Sequence, residues 1–102
     1  MINTKNAIVT FTNLTFAPEI TKLVDENGNR VGLLLYNYAN KNFRVYINYD
    51  DEMSDESFSF IIPPNTLYEL PYEYTTMNFY GTWEDQPTGT NPALKITEIS
   101  DR

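Results

Sequence analysis

From Phe43 to Tyr49 the chain alternates with a period of two. Phe43, Val45, Ile47 and Tyr49 fall on one side, and Arg44, Tyr46 and Asn48 on the other. That period belongs to a strand with one face on a core and one in water. Breakers recur along the rest of the chain. Asn27-Gly28, the polar run 39–42, Pro63-Pro64-Asn65 and the stretch 85–92 (DQPTGTNP) each end what precedes them. Between them lie short strand-like runs at 7–14, 19–24, 31–38, 43–49, 58–62, 66–70, 77–84 and 93–99. Seven or eight short strands at a spacing of about ten residues predict an all-β fold. The expected architecture is a single, mostly antiparallel β-sandwich or small barrel filling residues 1–102.

Individual runs sharpen the expectation. In 7–14, Val9 and Phe11 share one face, and Ile8, Thr10 and Thr12 the other. Ile20 and Leu23, three apart, also fit one helical turn, but nothing else in the chain is helical and a strand is preferred. Leu33-Leu34-Leu35 is apolar on both faces, which predicts a central strand. Gly32 marks a bulge or a close backbone approach. The turns at 25–29 and 39–42 read as hairpin connections, the first because Asn-Gly tolerates positive φ. Trp83, Tyr80, Leu94 and Ile96 read as core.

Composition excludes several function classes. The chain has no Cys and no His, so it lacks zinc ligands of the Cys/His kind, a thiolate nucleophile and the usual general base near neutral pH. Freedom from disulfides fits assembly in a reducing cytoplasm. Net charge is −7, from 14 acidic and 7 basic residues, so a phosphate-neutralising nucleic-acid surface is not expected. No run approaches the roughly 20 apolar residues of a membrane span, and the N-terminal apolar run is too interrupted for an export signal. The expectation is a domain that binds neither nucleic acid nor membrane.

Two clusters are candidates for contact. Residues 50–57 read DDEMSDES, and Asp50, Asp51, Glu52, Asp55 and Glu56 offer oxygen ligands of the kind Ca²⁺ takes. The spacing matches no EF-hand loop, and the preferred reading is a solvated loop that a partner touches and that shields the adjacent strands. No metal or cofactor is expected. The second cluster is aromatic. Tyr72 and Tyr74 flank Glu73 just after Pro71, in a segment too irregular for a core strand. With Trp83 they are candidate rings for an interface or for stacking on a glycan. Outside the acidic loop Glu69, Glu73 and Glu84 are the candidate carboxylates for glycoside hydrolysis, and nothing in the sequence places two at the separation that reaction needs. No nucleophile motif is present either, so no enzyme is expected.

The order of landmarks resembles a group of small bacteriophage virion proteins. It comprises Leu34-Leu35-Tyr36-Asn37, Val45-Tyr46-Ile47, Ile62-Pro63-Pro64-Asn65, Tyr68-Glu69-Leu70-Pro71, Tyr80-Gly81-Thr82-Trp83 and Leu94-Lys95-Ile96-Thr97-Glu98. Asn65 stands where Gly is usual in such a turn, a position with positive φ that Asn tolerates. The resemblance implies a structural, oligomeric subunit: a capsid decoration, head-fibre, neck or tail-associated protein. It would be made in the host bacterial cytoplasm, reside in the virion and contact capsid, portal or tail proteins. Two alternatives stay open: a carbohydrate-binding module or receptor-binding tip, and an acidic inhibitor that mimics nucleic acid.

Overall fold

The computed structural model describes residues 7–70 and 76–101. Its strands are β1 (Ile8–Leu14), β2 (Thr21–Val24), β3 (Arg30–Tyr38), β4 (Phe43–Ile47), β5 (Phe60–Ile62), β6 (Leu67–Glu69), β7 (Phe79–Trp83) and β8 (Ala93–Ser100). They form two four-stranded sheets, sheet A in the order β1-β8-β3-β6 and sheet B in the order β2-β7-β4-β5. Every pairing is antiparallel. The thin dimension of 17 Å is that of two sheets packed about 10 Å apart with their outer side chains. The fold is a β-sandwich; among the described residues each sheet has two unpaired edge strands and does not close into a barrel.

The connections correct the sequence expectation. Only β4 and β5 follow one another within a sheet; all other links carry the chain from one sheet to the other. This is the strand order of an eight-stranded jelly roll. The turns at 25–29 and 39–42 are therefore not hairpins. Neither Asn27 nor Gly28 takes the positive φ a tight hairpin requires. Instead Asn27 Oδ1 accepts from the Asn29 N–H at 3.0 Å, and its carbonyl accepts from the Arg30 N–H at 3.1 Å. The other turn is tied to the 85–92 loop, where Asn40 donates to Thr88 Oγ1 at 2.7 Å and accepts from its N–H at 3.0 Å.

The core follows from the inward faces. Leu33, Leu35, Phe43, Val45, Ile62, Phe79 and Leu94 lose all contact with solvent. β3 is central in sheet A, as its apolar run predicts. A bulge lets Arg30 and Val31 oppose Ser100 before Gly32 pairs with Ile99. The bulge shifts the alternation by one residue and turns Arg30 inward. The inner face of β3 then reads Arg30, Leu33, Leu35, Asn37: two leucines between two buried polar groups. One rim of the sandwich closes where Phe60 of β5 stacks on Tyr68 of β6, ring centroids 4.3 Å apart.

Both polar plugs are bonded. Arg30 Nε donates to Glu98 Oε2 at 2.6 Å, Nη1 donates to the Met77 carbonyl at 2.8 Å and Nη2 to the Asp25 carbonyl. Asn27 adds a bond to Ser100 Oγ at 3.0 Å. At the other end Asn37 Nδ2 donates to the carbonyls of Lys41 (2.8 Å) and Ile62 (2.9 Å), and Oδ1 accepts from Trp83 Nε1 at 3.0 Å. The Asn37 backbone meets Asn65 and Thr66. Asn65 has φ 56°, the conformation its place in the turn requires. Gly81 is the one inward β7 position that admits no side chain. A Cβ there would sit 2.2 Å from Phe43, whose ring needs that space to meet Trp83 edge-on at 4.8 Å.

Candidate functional site

The register of sheet A decides which side chains share its outer face. β1 contributes Val9, Phe11 and Asn13; β8 contributes Lys95, Thr97 and Ile99 opposite them. β3 adds Leu34, Tyr36 and Tyr38, and β6 adds Leu67 and Glu69. Lys95 and Glu69 are the only charges among these positions, in a chain of net charge −7. Phe11 is 76% exposed, Leu67 58%, Val9 47% and Tyr38 44%. The apolar residues cross all four strands, from one edge of the sheet to the other. Isolated surface apolar residues need no explanation, but a continuous band across a sheet marks a contact site.

One end of this face has relief. The Tyr38 ring meets Tyr36 edge-on at 6.4 Å, and Lys95 Nζ lies 5.4 Å from its centroid. A hollow of about 210 Å³ lies on one side, lined by Asn40, Asn65, Thr88 and Thr90. Another of about 400 Å³ lies on the other, lined by Asn13, Thr15, Asn91 and Lys95. An exposed ring between amide and hydroxyl groups is a surface that can stack on an apolar plane and hydrogen-bond around it.

The outer face of sheet B is covered instead, and this corrects three readings. Tyr46 was expected to face water, yet it is fully buried. The acidic loop folds over it: Tyr46 donates its hydroxyl to the Asp55 carbonyl at 2.5 Å and packs edge-on against Tyr49 and Phe58. Tyr49 was expected in the core. Asn48 adopts φ 53°, which breaks the alternation and swings Tyr49 outward against Tyr46 and Tyr80. Tyr80 belongs to this second aromatic cluster and not to the core, because it pairs with Tyr46 and Lys22 on the outer face.

The acidic loop is a lid built from two turns. Met53 donates to the Asp50 carbonyl and Ser57 to that of Ser54, while the Asp50 carboxylate and the Ser54 hydroxyl accept from the Glu52 and Glu56 N–H groups. Glu56 approaches Arg44 at 3.4 Å, and Glu84 approaches it at 3.6 Å from β7's end. Among the described residues, no three His, Cys, Asp or Glu side chains are grouped as a metal site needs. The carboxylates of Asp50, Asp51, Glu52, Asp55 and Glu56 make this lid acidic, and its fastening over Tyr46 gives it a pH signature. Burial pushes the Tyr46 phenol above its ordinary value, with Arg44 pulling the other way. A raised phenol stabilises the fold below pH about 10, and that contribution is lost as pH rises through the folded-state value. Alkaline titration followed by circular dichroism should show stability falling above that pH, with a shallower fall in Tyr46→Phe. An equally steep fall in the variant would assign the effect to another group.

The sequence-chosen rings fare differently. Trp83 is 4% exposed, in T-shaped contact with Phe43 and with its N–H bonded to Asn37. It has no open face on which a sugar could stack, so it leaves the binding set and joins the core. Tyr72 and Tyr74 lie outside the described residues. Phe11, Tyr38 and Leu67 were missed. For Tyr38 a signal was present: Leu34, Tyr36 and Tyr38 recur at every second position opposite a buried face. An amphipathic strand normally shows polar residues there. Comparison with protein-family models, curated proteins and solved structures returns no match for this chain.

Proposed function

We propose that this protein is a non-enzymatic structural subunit of a bacteriophage virion, working through protein–protein contacts made by the outer face of sheet A. The observation that carries the contact reading is the uncharged apolar band running through Phe11, Ile99, Leu34, Tyr36 and Leu67. Such a band on one molecule has the composition of an interface core, with the acidic residues kept to the rim and the opposite side. The virion assignment draws on the landmark order in the sequence, and the jelly-roll strand order supports it as an architecture that capsid proteins use. In this reading the site works by desolvation, and partner choice comes from shape and from the two charges at Lys95 and Glu69.

Mass spectrometry of particles purified from the phage encoding this chain tests the proposal. The chain should be present at a fixed copy number and should be lost from particles when Leu34→Lys is introduced. Its absence from wild-type particles would overturn the virion reading, and undiminished incorporation of the variant would overturn the sheet A reading. A second reading, glycan capture at a receptor-binding tip, keeps one specific support: the exposed Tyr38 ring between the two Asn- and Thr-lined hollows.

A further inference from the structure

Among the described residues four strands, β1, β6, β2 and β5, form sheet edges, and three of these are blunted. β5 and β6 are three residues long; β5 runs into Pro63-Pro64, and β6 carries Glu69. β2 has four residues, a charge at Lys22 and a register shift before Val24. These are the devices by which edges avoid pairing with another chain. β1 has none of them. It is seven residues long, pairs with β8 without a register break, and reads Ile-Val-Thr-Phe-Thr-Asn-Leu, with no charge and no proline.

β1 is also unusually bare. Only Leu14 packs against the core; Ile8, on the inward side, is 46% exposed and Val9, on the outward side, 47%. The opposite rim is sealed by Phe60 and Tyr68, whereas this one is open on both faces.

We infer that the free edge of β1 pairs antiparallel with β1 of a second copy, across a two-fold axis at Phe11. The strand is self-complementary in that register. Ile8 meets Leu14, Thr10 meets Thr12, Phe11 meets its own counterpart, and Val9 meets Asn13. Apolar, Thr–Thr and aromatic cross-strand pairs are favourable, and no like charges oppose one another. In a chain of net charge −7 this edge is where two copies approach with least repulsion. The arrangement is isologous and closed, which stops edge pairing at two copies. It joins both A sheets into one of eight strands and merges their outer apolar bands, doubling the contact surface. The inference shares with the proposed function the premise that sheet A is the working sheet, but it concerns the isolated protein and fails separately.

Sedimentation velocity of the full chain should give twice the 11.9 kDa of one copy. Phe11→Lys places like charges on the axis and should weaken the dimer by about tenfold or more, while Leu67→Lys, at the far edge, should leave it intact. Because Phe11 is 76% exposed, the variant should keep its fold, checked by thermal melting. Register is read from cysteine variants of this Cys-free chain. Phe11→Cys should form an interchain disulfide under air, and Val9→Cys, facing Asn13, should not. A monomer at every concentration overturns the inference, as does a dimer that Phe11→Lys leaves unchanged or that crosslinks through Val9→Cys alone.

Discussion

Replacing Asn37 with Ala should destabilise the domain by about 3–5 kcal/mol, because it strips partners from three buried groups at once. These are the indole N–H of Trp83 and the carbonyls of Lys41 and Ile62. Each buried group left without a partner costs roughly 1–3 kcal/mol, less where water can enter. For a domain of about 100 residues this lowers the melting temperature by roughly 15–25 °C. Asn37→Leu separates packing from hydrogen bonding. It restores the volume but not the bonds, and should be nearly as damaging as Ala. Adding Trp83→Phe to Asn37→Leu removes one orphaned donor and should recover part of the loss, since removing both partners of a buried bond costs less than removing one. Equal melting temperatures for wild type and Asn37→Leu would show that the network contributes little.

Arg30→Ala should have an effect of similar size, about 3–5 kcal/mol, for an electrostatic reason. The guanidinium is buried, and its fork spans three structural pieces: Glu98 of β8, the carbonyl of Met77 ahead of β7 and that of Asp25 after β2. Without it the two carbonyls lose this donor and, among the described residues, the Glu98 carboxylate keeps the 3.5 Å approach of Asn27. Glu98 is 22% exposed at the side chain, so water softens the penalty on that side. Arg30→Lys should recover little, since one ammonium cannot reproduce a fork that reaches three acceptors among the described residues alone. The double variant Arg30→Met with Glu98→Leu should be markedly more stable than Arg30→Ala, because it leaves no unpaired charge. Chemical denaturation of the four proteins at one pH gives the comparison directly.

These two residues show what was and was not legible in the sequence. Strand positions were, because alternation and breakers act locally: the runs at 31–38 and 93–99 coincide with β3 and β8 to within a residue at each end. The landmark tetrapeptides were visible, but not their reason. Asn37, Ile62, Asn65 and Trp83 come from three separate landmarks and meet in one hydrogen-bonded plug. These three landmarks therefore mark how the sandwich is fastened. Sheet membership was not legible. A turn residue reports that the chain reverses, not which sheet the next strand joins; β8 lies between β1 and β3 through pairings some 60–90 residues apart in sequence. Nor does a period of two say what lies on the outward face. Tyr46 points away from the core and is still buried, because residues 50–58 fold back over it. Arg30 points inward only because the Val31 bulge shifts its phase.

The same limit hid the candidate site. Leu33-Leu34-Leu35 reads as the mark of a central strand, and β3 is one. Being central explains why β3 is paired on both sides. It does not explain why its outward side chains, and those of β1 and β6 in the same sheet, stay apolar with no layer above them among the described residues. That unspent surface is the basis of the contact reading.

Lysine footprinting tests that reading most directly. Lys95 lies on the outer face of sheet A, whereas Lys22 lies on the outer face of sheet B and Lys41 in a turn. The free protein and purified particles are acetylated briefly and each lysine is quantified by mass spectrometry. The account predicts that Lys95 becomes protected in the particle while Lys22 and Lys41 keep their free-protein reactivity. Protection of Lys22 with Lys95 still freely acetylated would contradict it.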